Sequence, residues 1–97
     1  MVKIKKLIYE KRNDVLSIAN HYGVVKIQLF GSVARNEEVT DSDIDFLVQF
    51  EEGRTLFDLI ALKNELEGLL TLKVDVVSEE SLHWNISEQV KREVIEI

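Results

Sequence analysis

Asp41–Ser42–Asp43–Ile44–Asp45–Phe46–Leu47–Val48–Gln49–Phe50 is the stretch on which the fold turns. From Ile44 to Phe50 it is rich in β-branched and aromatic residues and reads as a strand, with Asp43 at its start. Residues two apart on a strand point to one face, so Asp43 and Asp45 project together while Ile44, Phe46 and Val48 face a core. Two carboxylates roughly 6 Å apart repel by about 3 kcal/mol at an effective dielectric of about 20. A fold tolerates that repulsion if water screens it or a cation sits between the charges. Mg²⁺ suits such a pair, because it takes oxygen ligands and uses one or two carboxylates plus substrate phosphates.

Upstream, Val24 to Phe30 reads as a second strand, which Gly31 stops. A short helix is expected from about Ser32 to Asn36, followed by a polar loop from Glu37 to Ser42. Asp41 is read as a loop or capping residue, since it lies outside the same-face pair. Glycine lets a backbone approach a ligand closely, and free N–H groups at a helix start bind phosphate. Ser32 adds a hydroxyl, and Arg35 lies one turn on, where its cation can meet a phosphate. The first segment, about 3–21, shows apolar residues at helical spacing (Ile4, Leu7, Ile8, Val15, Ile18, Ala19), and Gly23 suits the residue after a helix end.

Downstream, Glu51–Glu52–Gly53 is a turn, and Thr55 can cap a helix over about 56–70 with Asp58 in its first turn. Leu56, Leu59, Ile60, Leu62, Leu66 and Leu69 give that helix a broad apolar face. Leu72 to Val77 reads as a third strand, in which Asp75 interrupts an apolar run. Ser81 to Glu96 is expected to be helical, with a possible interruption near Trp84 and Asn85–Ile86–Ser87. The order α-β-α-β-α-β-α implies an α/β (α+β) architecture, a small sheet of about three strands with helices packed against it.

If the third strand lies beside the Ile44–Phe50 strand, Asp43, Asp45 and Asp75 converge. Three carboxylates can bind two metal ions, an arrangement that clamps the attacking and leaving oxygens of an in-line phosphoryl displacement. Asp75 would also be placed to accept the proton of an attacking hydroxyl. Each signal has a plain structural reading by itself: Asp–x–Asp pairs are common, and Gly–Ser often makes only a capped turn. A phosphate cradle about ten residues before a paired carboxylate, with a third acid on a later strand, is specific as a combination.

Composition narrows the rest. Ninety-seven residues suffice for a single domain, 1–97, and are too few for two. There is no cysteine, so disulfides, thiolate metal sites and cysteine nucleophiles are excluded. The net charge of −6 is uneven: Lys3, Lys5, Lys6, Lys11 and Arg12 against Glu10 give the first twelve residues +4, leaving −10 for the remainder. An acidic body argues against general nucleic-acid binding. The basic segment is either a solvated helix face or a contact for an acidic partner. Neither a signal-peptide pattern nor a membrane-length apolar run is seen, so a cytoplasmic location is expected and no membrane association. His21 and His83 have no third partner at metal-ligand spacing. Leu82–His83–Trp84 is read as core or partner contact, and apolar residues of the 3–21 helix as a possible homo- or hetero-oligomer interface.

Leu29–Phe30–Gly31–Ser32–Val33–Ala34–Arg35 followed by Ser42–Asp43–Ile44–Asp45–Phe46–Leu47–Val48 resembles the signature of the polymerase-β-type nucleotidyltransferase superfamily, most closely its minimal nucleotidyltransferase (MNT) family. The resemblance runs from about Ile27 to Val77. It implies that Gly31 and Ser32, with Arg35, bind the nucleotide and that Asp43, Asp45 and Asp75 are the catalytic metal ligands. Family members often carry glycine after the arginine, where this chain has Asn36. The implied reaction is attack by an acceptor hydroxyl on the α-phosphate of a nucleotide, with ATP as donor, Mg²⁺ (two ions) as cofactor and pyrophosphate leaving. Minimal members are commonly paired with a HEPN-domain toxin, and the resemblance implies an antitoxin that transfers AMP to a tyrosine of that partner. Two other readings stay open: a non-catalytic module that neutralises its partner by contact, and a small-molecule nucleotidyltransferase of the aminoglycoside-modifying type.

Overall fold

The computed structural model describes residues 4–35, 43–81 and 92–97. Two short helices, α1 (Ile4–Glu10) and α2 (Arg12–His21), lead into strand β1 (Val24–Phe30) and a one-turn helix α3 (Gly31–Ala34). Strand β2 (Ile44–Phe50), helix α4 (Leu56–Leu70), strand β3 (Val74–Ser78), a 3₁₀ turn (Glu79–Ser81) and strand β4 (Ile95–Glu96) complete the order.

The strands form one sheet in the order β3-β2-β1-β4. β1 pairs antiparallel with β2 and β4, whereas β2 and β3 run parallel, joined by α4 as a crossover. The mixed sheet with packed helices agrees with the expected class. Among the described residues it has four strands, one more than expected.

One sheet face carries the core. Ile27 and Leu29 of β1, Ile44, Phe46 and Val48 of β2, and Val74 and Val76 of β3 meet Ile8, Val15, Ala19, Leu62, Leu66 and Leu70 from the helices. The alternation read on β2 and β3 therefore holds at these positions. Leu47, on the opposite face, is nevertheless buried as well, so that face is not uniformly open.

Three expectations need correction. The helix expected over 3–21 is broken at Lys11, whose backbone (φ −102°, ψ 17°) leaves the helical region. At the break the Lys11 ammonium donates to the Leu69 carbonyl at 3.1 Å, a cation at the end of α4 where carbonyls lack helical partners. Most of the helix expected over 81–96 lies outside the described residues, but its two ends differ from the expectation: Ser81 closes a 3₁₀ turn, and after helical Arg92 and Glu93 the chain turns into a strand at Ile95–Glu96. Ile95 and Ile97 alternate with period two, and both pack on the core from the β1 edge. Finally, α4 buries a narrower stripe than expected. At about 100° per residue, Ile60 lies more than ~100° round from the Leu62–Leu66–Leu70 line, and Phe57 lies opposite it. Leu56, Phe57 and Ile60 are accordingly exposed (68%, 82% and 45%), whereas Ile4, Leu7, Leu16 and Ile18 of the first two helices are partly buried against the core. The apolar surface expected on the first segment thus lies mainly on α4.

Thr55 stands at the N-cap of α4 with Asp58 in the first turn, as the sequence suggests, and Asp58 Oδ2 accepts from the Thr55 N–H at 3.0 Å. No helix among the described residues is long and apolar enough to cross a membrane. Asn36, the Glu37–Ser42 loop with Asp41, and the Leu82–His83–Trp84 cluster lie outside the described residues.

Candidate active site

The parallel pairing of β2 and β3 decides the site. Its register sets Asp45 directly beside Asp75, with Ile44 beside Val74 and Phe46 beside Val76. Neighbouring strands lie about 4.8 Å apart, and paired residues point to one face, so the two carboxylates leave the sheet side by side. At the strand starts the Ile44 N–H donates to the Lys73 carbonyl at 2.9 Å, which fixes this register, and the Val74 N–H donates to Glu67 Oε2 at 3.1 Å, which ties the start of β3 to α4. Asp43 is exposed one residue before β2 and shares the side of Asp45.

Gly31 closes the site from β1. The antiparallel register places Phe30 opposite Asp45, and Gly31 follows with φ +76°, a left-handed conformation that glycine adopts without penalty. A Cβ here would run into Asp45 Oδ2 and stand 3.1 Å from Asp45 Cγ. The backbone of the Gly–Ser turn therefore lies directly against the central carboxylate. Ser32 is partly exposed beside it, and α3 is a single turn of four residues, shorter than expected. Arg35 ends that turn, its N–H donating to the Gly31 carbonyl at 3.2 Å. The Lys5 ammonium donates to the Ala34 carbonyl at 3.0 Å, which ties α1 to the same turn.

Electrostatics report the same convergence. The Asp45 carboxyl is pushed up from 3.8 to about 6, first by burial and then by the charges of Asp75 and Asp43, while the Arg35 cation opposes the shift. Asp75, Asp43 and Arg35 thus each act on Asp45, and the Gly31 backbone lies against the same carboxylate. Among the described residues no three His, Cys, Asp or Glu side chains form a cage around one ion. Mg²⁺ needs no such cage, since it keeps waters and takes substrate phosphates alongside one or two carboxylates. Hard oxygen donors at a carboxylate that burial, and then the neighbouring charges, already press toward a proton fit a divalent cation.

Some contributors carry no sequence signal. Glu93 Oε2 accepts from Arg35 Nη1 at 2.8 Å, across a separation of 58 residues. Glu67, which holds the start of β3, reads in sequence only as a polar position on a helix. Lys5 reads only as one of several basic residues; its neighbour in space, Ala34, lies 29 residues away.

Residues 8–97 match the family described as a nucleotidyltransferase domain. The chain is 40% identical over 90 residues to a Methanocaldococcus jannaschii protein that carries the name protein adenylyltransferase, an alignment covering 93% of this chain and 97% of the relative. It is 45% identical over 78 residues to the protein adenylyltransferase MntA of Thermococcus cleftensis, covering 80% of this chain and 79% of that protein. Its fold superposes on a solved structure described as a minimal nucleotidyltransferase with a TM-score of 0.88 and 48% identity, covering 99% and 97% of the two chains. A complex of tri-AMPylated Shewanella oneidensis HEPN toxin with MNT antitoxin aligns with a TM-score of 0.70 at 21% identity, covering 91% of this chain and 69% of that one, which shows a shared fold alone.

Proposed function

This chain belongs to the nucleotidyltransferase domain family as a minimal member and is a nucleotidyltransferase enzyme; from that premise we propose that it transfers AMP from ATP to a hydroxyl, a tyrosine of a HEPN-domain toxin, and so acts as that toxin's antitoxin. The observation that carries the reading is the in-register pair Asp45–Asp75, joined by Asp43 and backed by the bare backbone of Gly31. The names borne by the relatives at 40% and 45% identity support AMP as the group moved and a protein as its acceptor. The tri-AMPylated HEPN toxin, found with a protein of the same fold, supports the partner.

Each residue has a role that follows from its place. The Gly31–Ser32 turn admits the triphosphate close to the backbone, and the Ser32 hydroxyl and the Arg35 guanidinium contact its oxygens. Asp43, Asp45 and Asp75 would hold magnesium, two ions in this reading, which would neutralise the triphosphate and the charge that builds in the displacement. The acceptor oxygen bonds to the α-phosphorus as the bond to the β-phosphate oxygen breaks. Pyrophosphate leaves, and the proton of the acceptor hydroxyl passes to Asp75. The exposure of Asp75 and Asp43 leaves room for a macromolecular acceptor at the open side of the sheet.

The test is transfer of label from α-phosphate-labelled ATP to a co-purified HEPN protein, with mass spectrometry of its tyrosines. Wild type with Mg²⁺ is expected to add AMP; a chelator, or Asp43→Asn with Asp45→Asn, should abolish the label and the neutralisation of the toxin together. Neutralisation that persists in the doubly substituted protein would convert the reading to a non-catalytic binding module. Labelling of a small hydroxyl compound with no protein acceptor would shift it to the small-molecule type.

A further inference from the structure

Arg35 stands between two carboxylate systems. On one side its cation acts on Asp45. On the other its Nη1 donates to Glu93 Oε2 at 2.8 Å, with the two side chains 40% and 31% exposed. The segment that carries Glu93 is itself held at several points. The Tyr9 hydroxyl donates to the Glu96 carbonyl at 2.9 Å, Arg12 Nε to the Ile97 carbonyl at 2.9 Å, and Gln28 Nε2 to Glu96 Oε1 at 2.6 Å, while Ile95 and Glu96 pair with β1. Glu93 is therefore an anchor on a fastened segment. Arg35, by contrast, leaves the end of a single helical turn on a long, rotamer-rich side chain.

We propose that Glu93 is a positioning residue for Arg35, drawing the guanidinium away from Asp43, Asp45 and Asp75 and holding it at the rim of the site, where it meets the triphosphate. The inference rests on the transferase reading above. A cation free to fold onto three crowded carboxylates would compete with the divalent metal for them, and it would have to be lifted off before a phosphate could use it. A guanidinium presents five N–H donors in a fixed fork, so a carboxylate at one edge sets the plane in which another edge faces a phosphate.

The experiment measures binding of a fluorescent ribose-labelled ATP with Mg²⁺, the Mg²⁺ concentration for half-maximal AMP transfer, and KM and kcat for ATP. The proteins are wild type, Glu93→Ala, Glu93→Gln, Arg35→Ala and Arg35→Ala with Glu93→Ala. Glu93→Ala is expected to weaken nucleotide binding and raise KM three- to tenfold, to raise the half-maximal Mg²⁺ concentration, and to leave kcat within about twofold. Glu93→Gln, which keeps an acceptor oxygen, should recover part of the loss and serves as the test if Glu93→Ala does not fold. In the Arg35→Ala background, removing Glu93 should have no further effect, because the two act through one another. An equal loss in both backgrounds would overturn the proposal by making Glu93 a mere fastener of its segment. Unchanged or tighter nucleotide binding by Glu93→Ala would overturn it too. Wild type that neither binds ATP with Mg²⁺ nor transfers AMP would overturn the transferase reading itself, a result distinct from any pattern among the variants.

Discussion

Asp45 is half-buried beside Asp75 and within reach of Asp43, and burial with those two charges pushes its carboxyl to about 6. A carboxyl raised in this way binds its proton more tightly folded than unfolded. Its contribution to stability is therefore complete below about pH 4 and is lost as pH climbs through 6. A shift of this size corresponds to at most about 3 kcal/mol, and with water reaching part of the side chain about 1–2 kcal/mol remains. Asp45→Asn should thus be more stable than wild type by about 1–2 kcal/mol at pH 7.5 and equal to it at pH 4, while transferring no AMP. Urea unfolding at the two pH values checks this, and added Mg²⁺ should narrow the gap at pH 7.5 by stabilising only the wild type. Gly31 answers to the same carboxylate. Gly31→Ala meets a positive φ and the Asp45 side chain at once, so it is expected to cost about 2 kcal/mol and to lower transfer at least tenfold. A Gly31→Ala protein with wild-type urea midpoint and wild-type activity would contradict the close approach of that turn to Asp45.

Helix α4 shows how an element can be right in type and strained at its end. Thr71 follows it at φ 57°, ψ 29°, a left-handed cap made by a β-branched residue, with its N–H donating to the Glu67 carbonyl at 2.8 Å. Glycine takes that conformation freely, so Thr71→Gly should raise stability by about 0.5–1 kcal/mol without altering transfer, as thermal unfolding and the labelling assay would record. The same scale separates what was legible in the sequence from what was not. β2, β3 and the start of α4 announce themselves because their signals are local: period-two alternation around Asp43, Asp45 and Asp75, and a Thr–Asp cap three residues apart. The pairing of Asp45 with Asp75 needed only the inference that β3 lies beside β2, which the helix between them makes natural. The break at Lys11 has no local signal, since lysine is an ordinary helix former and the carbonyl its ammonium meets lies 58 residues away. β4 is two residues long, and its partner strand is 68 residues upstream at Gln28, so a helical reading met no local contradiction. Glu93 was illegible for the same reason: its meaning lies in a side chain from another part of the chain.

Across the whole molecule, segment 92–97 joins elements from the opposite end of the sequence, touching α1 through Tyr9, α2 through Arg12 and β1 through Gln28. Tyr9 and Arg12 reach exposed backbone carbonyls, where water is a ready substitute and each bond stabilises little. Gln28 differs. It is only 6% exposed, and its amide finds Glu96 at 2.6 Å on the sheet face that also carries Leu47. Truncating Glu96 leaves a buried amide without this partner, so Glu96→Ala should cost about 1–2 kcal/mol. Replacing both groups by apolar ones removes the stranded donor along with the bond. Gln28→Leu with Glu96→Ala is therefore expected to regain most of that loss, where the Gln28→Leu and Glu96→Ala effects, were they independent, would add. Urea unfolding of the four proteins, with wild type as reference, gives the coupling. A double variant as unstable as the sum of its parts would mean that segment 92–97 is held by its strand pairing and the packing of Ile95 and Ile97, and that the Gln28–Glu96 bond is incidental to closing the sheet.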